Sequence, residues 1–494
     1  MSRSQYELPI AISVTRPHMS LWQWLVPLCL LPIAIAGPNM GIAVYACFIL
    51  GVGTSLLWRP GEPPILFFVF IYQWMQVAVG AFYANLRGLP IGELSKIHGR
   101  HEAAVFLLLT GLLVLTFTIR ITCGPVIRGL LPRVQIFVNA RPSHYWLWLF
   151  LGAWLFSDIC IFASGASGGL RQVLLSLGDI QWVAFMLLTL ATFSVPNRPK
   201  LPWLLVFGFE FAISLGGYFS GFKDVFFYAL IGLIASNVRF KARVLIPVAS
   251  LAGILLFLAL IWSAIKTDYR AFVSRGTGQQ VVLVSYSERI SEIAYLLSNV
   301  RSEDLPGAAD KLMDRIMYFS LFGVVLDRVP YVMPYADGKI WLDAIRRPFM
   351  PRILFPEKTE VNDSDLTSLY TGIGFANASR GTSVSMGYVA EAYIDFGLVF
   401  MFLPIGGLGL FLGWFYRRLL SQPGLGAALG VALVPFALMP AHLTETSSLK
   451  LIPALGLSMI SCWIILHVLA PRLFGLARKR NRRRNTWAIR SQKA

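Results

Sequence analysis

Acidic side chains are scarce, with 25 Asp and Glu in 494 residues, and charged residues of both signs make up only 14% of the chain. A soluble chain carries roughly a quarter charged residues, so most of this one is built for a solvent other than water, which excludes a cytosolic enzyme. Cysteine is equally sparse. Cys29, Cys47, Cys123, Cys160 and Cys462 lie within or at the ends of apolar runs, with no Cys-x-x-Cys pair and no Cys/His cluster. Neither a disulfide framework nor a zinc site is supported. A phosphate-cradling glycine loop and a metal-ligand box are also missing, and no segment repeats at the period of a solenoid or propeller.

What is abundant is apolar: 56% hydrophobic residues, 35 Phe and 14 Trp, and a mean hydropathy of +0.64. A bilayer core about 30 Å thick needs roughly 20 apolar residues per helix. About twelve stretches approach that length, near 21–37, 39–57, 64–84, 103–120, 144–164, 177–195, 202–221, 222–237, 244–265, 392–416, 424–442 and 451–471. The sequence predicts an all-α polytopic membrane protein with about twelve transmembrane helices. Its parts are 1–265 with helices one to nine, a large outer loop over 266–391, helices ten to twelve over 392–471, and a basic tail over 472–494.

Net charge is +18, and its placement decides its meaning. Every second connector is basic: Arg59; Arg120, Arg128, Arg133 and Arg141; Arg198 and Lys200; Arg239, Lys241 and Arg243; Arg417 and Arg418; then the tail. Only Glu7 and Glu62 interrupt this set with acid. Lys and Arg are retained on the cytoplasmic side, so both termini are expected there and the charge reads as topology rather than nucleic-acid binding. The tail Arg478-Lys-Arg-Asn-Arg-Arg-Arg484 suits an anchor to anionic membrane lipid.

The loop from Lys266 to Glu391 would then face outward. Glu288 to Leu297 and Lys311 to Val325 read as short amphipathic helices, the second able to lay Met317, Phe319, Phe322 and Val325 on the membrane or on the bundle. Within the spans, Asp158 and Glu210 are isolated carboxylates, a thin basis for an ion-coupled transporter. Arginines in outer connectors, where the positive-inside rule disfavours them, are more telling. A guanidinium fork pairs with two phosphate oxygens at once, so an Arg-rich outer site beside lipid suits a lipid-linked pyrophosphate. Charge balance offers the plainer reading, since Asp268 and Arg270, or Asp314 and Arg315, are near neighbours.

Three stretches carry a family resemblance: Gly216-Gly-Tyr-Phe-Ser-Gly-Phe-Lys-Asp224; Asp314-Arg-Ile-Met-Tyr-Phe319 through Val325-Leu-Asp-Arg-Val-Pro330 and Pro334-Tyr-Ala-Asp-Gly338 into Pro351-Arg-Ile-Leu-Phe-Pro-Glu-Lys358; and Gly381-Thr-Ser-Val-Ser-Met-Gly387 with Glu391-Ala-Tyr-Ile-Asp-Phe-Gly397. With the span plan and the late outer loop, they resemble the Wzy-type O-antigen and exopolysaccharide repeat-unit polymerases of Gram-negative inner membranes. Where that family's turn usually offers Arg, this chain has Lys223, which keeps the charge and loses the bidentate fork.

The resemblance implies a GT-C-like architecture and a membrane glycosyltransferase that polymerises undecaprenyl-pyrophosphate-linked oligosaccharide repeat units at the periplasmic face. It implies no cofactor and no metal, cationic side chains at the leaving pyrophosphate, and a chain-length regulator as a further partner. Lys223, Arg270, Arg315 and Arg352 are the first candidates for that pyrophosphate, with Arg328 and Arg289 behind them. Glu391, Asp395 and His442 are the candidates for accepting the proton of the acceptor hydroxyl. Two rivals remain open: an O-antigen ligase, which shares the donor, and a lipid-linked oligosaccharide flippase, which would set its cations inside the spans.

Overall fold

The computed structural model describes residues 21–166, 170–215, 222–236, 242–277, 282–301, 304–350, 355, 362–375, 383–424 and 426–474. Among them every regular element is helical. In chain order the helices are α1 (Leu25–Ile35), α2 (Met40–Leu57), α3 (Ile65–Arg87), the single turn α4 (Ile91–Leu94), α5 (His101–Cys123), α6 (Leu130–Asn139), α7 (Ser143–Ala166), α8 (Arg171–Gly178), α9 (Ile180–Phe193), α10 (Leu201–Leu215), α11 (Phe222–Ala235) and α12 (Ala242–Val273). A second group follows: α13 (Tyr286–Asn299), α14 (Asp304–Ile316), α15 (Ser320–Arg328), α16 (Lys339–Arg346), α17 (Asp363–Thr371), α18 (Tyr388–Phe400), α19 (Phe402–Leu420), α20 (Gly426–Leu438) and α21 (Ser448–Ile464), the last running on through a π-turn to Phe474.

Six stretches are long and apolar enough to cross a membrane: α2, α3, α5, α7, α8 with α9, and α21 with its continuation. A seventh is counted if α18 and α19, bent by 115° at their junction, form one span. The apolar runs lead one to expect about twelve. Part of the difference is length: α1 has 11 residues, α10 15, α11 14 and α20 13, short of the roughly 20 that a crossing needs. The 32 residues of α12 reach about 48 Å, which carries Lys266 and Arg270 beyond its apolar stretch at 244–265.

The expected tenth helix, 392–416, is not one rod. Gly397 takes φ 68° and ψ −174° inside α18, a backbone state that breaks the helix, and the chain turns there before α19 begins. Beyond the bend, α19 packs along α5 through glycines. A Cβ on Gly409 would stand 2.7 Å from the Leu115 carbonyl, and one on Gly413 2.4 Å from that of Ile119. Only a hydrogen at these positions lets the two backbones approach so closely.

At one end of the bundle, the loop before α3 carries a buried ion pair, Arg59 Nε donating to Glu62 Oε2 at 2.5 Å. Glu62 also accepts from Tyr416 Oη at 2.9 Å and from the Ile127 amide at 2.6 Å. The acid that interrupted the basic connectors therefore ties two loops and α19 together, and each of its oxygens has a donor.

Helices of the segment 266–391 pack on the apolar helices, α14 on α3 and α12, and α15 on α5. α13 starts two residues before the expected Glu288, because Ser285 caps it: Ser285 Oγ accepts from the Glu288 amide while the Ser285 amide donates to Glu288 Oε2 at 2.7 Å. The second amphipathic segment is divided at Met317–Phe319 into α14 and α15. Phe319, Phe322, Val325 and Leu326 are buried, packed on α5 rather than on lipid. The break allows the Tyr318 amide to donate to the Gln76 carbonyl, at the middle of α3, at 2.9 Å.

Candidate functional site

Helix α20 ends at Leu438, and a 3-10 turn over Met439–His442, begun by Pro440, aims the following loop back at α3. Polar side chains of α3 fix that loop. Gln73 Nε2 donates to the Ala441 carbonyl at 2.6 Å and Gln73 Oε1 accepts from Tyr388 Oη at 2.8 Å. Gln76 Oε1 accepts from the Thr444 amide at 2.8 Å. Because the Gln76 carbonyl also receives Tyr318, one residue registers the two segments that carry Arg315 and Glu445.

His442 sits in an aromatic box formed by Tyr72, Phe68 and Phe227, with ring centroids 4.8, 6.2 and 6.4 Å away. Its Nδ1 lies 2.7 Å from the Met439 carbonyl. A carbonyl only accepts, so Nδ1 carries the proton and Nε2 keeps a free lone pair. Among the described residues that buried Nε2 has no partner.

Cations from two separate stretches of chain act on this box, and one of them also acts on a third stretch. Lys223, at the start of α11, lies within electrostatic range of His442. Tyr72 feels Glu445, Arg315 and Asp224. Arg315, at the end of α14, lies 3.6 Å from Glu445. Arg270 and Arg315 both act on Lys266, whose ammonium is brought down to about 8 by burial first and by these like charges second. Tyr318 lies among Glu445, Glu391, Asp363 and Arg315, and burial lifts its phenol well above the usual range. The structure thus sets Lys223 near His442, Arg315 near Glu445 and Tyr72, and Arg270 with Arg315 near Lys266.

The remaining candidates lie elsewhere. Arg289 reaches back along α13, donating to the Ser285 carbonyl at 3.3 Å with its guanidinium 5.1 Å from the Tyr286 ring. Arg328 lies under Gly372 at the C-terminus of α17, where its charge complements the exposed carbonyls, and its Nε is buried without a partner among the described residues. Arg352 and the turn 216–221 lie outside the described residues.

Glu391 and Asp395 share a face of α18 as expected, yet each serves another helix. Glu391, 1% exposed, accepts from the Ser448 amide at 2.7 Å and from Ser448 Oγ at 2.5 Å, at the start of α21. Asp395, 3% exposed, accepts from the Trp341 amide at 2.7 Å and the Ile340 amide at 3.2 Å, at the start of α16. Beside them, Asp363 accepts from Lys450 Nζ at 2.6 Å and from Ser447 Oγ at 2.9 Å. These carboxylates hold the helix starts on which the His442 loop rests. No group of three His, Cys, Asp or Glu among the described residues is placed to hold a metal ion.

Compared with protein-family models, curated proteins and solved structures, the chain matches none. Its chemistry must be read from the side chains. An imidazole with a bare Nε2 beside a lysine, with an arginine acting on the neighbouring Tyr72, can take a proton next to a bound anion. A cavity of about 450 Å³ lies between α12, α13 and α14, with Asp268, Asn299 and Lys311 on its wall, within the size range of small-molecule sites.

Sequence reasoning had singled out charges alone, which is why it missed Gln73 and Gln76. Two amides in the apolar run Phe67-Phe-Val-Phe-Ile-Tyr-Gln-Trp-Met-Gln76 were the available signal, because a buried amide demands partners. Asp179, inside the span 177–195, also escaped notice; it lies within electrostatic range of Asp224.

Proposed function

We propose that this chain is a membrane glycosyltransferase that polymerises undecaprenyl-pyrophosphate-linked oligosaccharide repeat units at the periplasmic face of a bacterial inner membrane. The observation that carries the reading is a run of cations from segments far apart in the sequence: Lys223 acts on His442, Arg315 on Tyr72 against the His442 ring, and Arg315 with Arg270 on Lys266. In the reaction the bond between the donor sugar C1 and the pyrophosphate oxygen breaks, and C1 bonds to the acceptor hydroxyl oxygen. Electrons of the broken bond stay on the pyrophosphate, where the cations offset the charge. His442 Nε2 takes the hydroxyl proton, and Glu391 and Asp395 keep the supporting helices in place. Geometry pre-set for the departing anion is the larger part of such catalysis.

The test uses the purified full chain in lipid vesicles, supplied with lipid-linked repeat units. Arg270→Ala and Arg315→Ala should each lower the polymerisation rate by about 10² to 10³, the usual loss when one charge-stabilising donor is removed. Removing a solvated surface ion pair changes little, so normal polymer from both variants would overturn the reading. Transfer to a lipid A core acceptor in place of polymer would favour the ligase, and movement of intact donor across the membrane the flippase.

A further inference from the structure

Helix α16 and the 3-10 turn that follows it, Arg347–Phe349, lie within the segment expected as a loop, and their two faces differ. Ile340, Trp341 and Ala344 are buried against the protein, whereas Leu342, Ile345 and Phe349, spaced three and four apart on one face, are exposed, Phe349 to 78%. The segment is pinned at both ends. Asp395 receives the Ile340 and Trp341 amides at its start. Pro348 at its far end lies against Gly456, its Cβ 3.5 Å from where a Gly456 Cβ would be.

Gly456 fixes the depth. It is eight residues past Ser448, so the turn meets α21 about 12 Å along its axis, on a stretch apolar enough to cross a membrane. That stretch of 27 residues measures about 40 Å and exceeds the roughly 30 Å hydrocarbon core by about a turn at each end. The Pro348 contact therefore lies below the headgroups. On the same helix Met459, Ile460 and Trp463 face outward, and the α18–α19 bend, which supplies Asp395, exposes Leu398, Val399, Phe400 and Leu403. Arg346 and Lys339 are exposed at the two ends of α16, while Arg347 is folded onto Asp343 at 2.8 Å.

We propose that the exposed face of α16 and its turn is inserted in the bilayer, Leu342, Ile345 and Phe349 among the acyl chains of the leaflet at the α21 N-terminus and Arg346 at its phosphates. An amphipathic helix with cations at its rim binds a lipid surface in this way. The occupant is lipid because the face continues the outward apolar surface of α21 and lies at the depth of its hydrocarbon stretch.

Nitroxide labels on Leu342→Cys, Ile345→Cys, Phe349→Cys and Arg346→Cys, each in the full chain with Cys29 replaced by Ser and reconstituted in phosphatidylcholine vesicles, test this. The ratio of collision with oxygen to collision with a water-soluble nickel chelate should be several-fold higher at 345 and 349 than at 346. Because the labelled side chains are exposed, three independent sites report even if one variant folds poorly. Equal ratios at all four positions would place the face in water and overturn the proposal. Labels at 345 and 349 shielded from both reagents would mean that protein covers the face, which also overturns it.

Discussion

Lys266 shows how one residue's surroundings set a measurable pH dependence. Burial, Arg270 and Arg315 bring its ammonium down to about 8 from an ordinary 10.5. A lowered folded value means that the penalty of keeping the charge is fully present below pH 8 and is relieved as pH rises from 8 towards 10.5. Stability should therefore rise across that window in the wild type and stay flat in Lys266→Met, read by thermal unfolding in detergent. Donor binding should move the other way, because the cation is lost: KM for the lipid donor rises between pH 7 and 9 in the wild type, and less so in Lys266→Arg. A KM independent of pH in the wild type would remove Lys266 from the anion site. Gln76 offers a second residue-scale test. Gln76→Leu leaves the buried Thr444 amide without its acceptor, a cost of about 1–3 kcal/mol. It should lower both thermal stability and kcat, whereas Gln76→Glu, which retains an acceptor oxygen, recovers most of both.

Between elements, the close contact of α19 with α5 is made by absent side chains. A Cβ on Gly413 would stand 2.3 Å from Thr122 Oγ1 and 2.4 Å from the Ile119 carbonyl. The first could rotate away; the second is backbone and cannot. Gly413→Val should therefore force the helices apart and destabilise by about 1–3 kcal/mol or more, the usual cost of overpacking. Gly407→Ala, on the same helix but with open space around it, should be tolerated. Comparing detergent-extracted protein by size-exclusion profile and melting temperature separates the two. The same element scale explains why Glu391 and Asp395 read as a catalytic pair in the sequence. Four residues apart they do share a face, but the face meets the starts of α21 and α16, and each carboxylate accepts from a backbone amide there.

For the whole molecule, the arrangement of basic connectors makes a sidedness claim that no contact within the protein tests. Alkaline phosphatase fused after Gln280 should be active and fused at Arg490 inactive, because the enzyme matures only outside the cytoplasm. The reverse pattern would put the cation cluster on the cytoplasmic side and end the polymerase reading. What the sequence by itself determined is the class of solvent and the helical character: sparse charge and long apolar runs leave the backbone few other ways to satisfy its hydrogen bonds in lipid. It also marked Lys223, Arg270, Arg315 and His442, since basic groups stand out against an apolar background. The tertiary structure alone decided that Lys223 comes near His442 and Arg315 near Glu445, that Gln73 and Gln76 hold the loop at 441–444, and that the tenth apolar run is bent at Gly397. It also decided that α16 turns an apolar face outward beside α21. Each of those depends on partners scores or hundreds of residues away, Ala441 for Gln73 and Gly456 for Pro348, and periodicity along one segment holds no record of which distant segment will supply them.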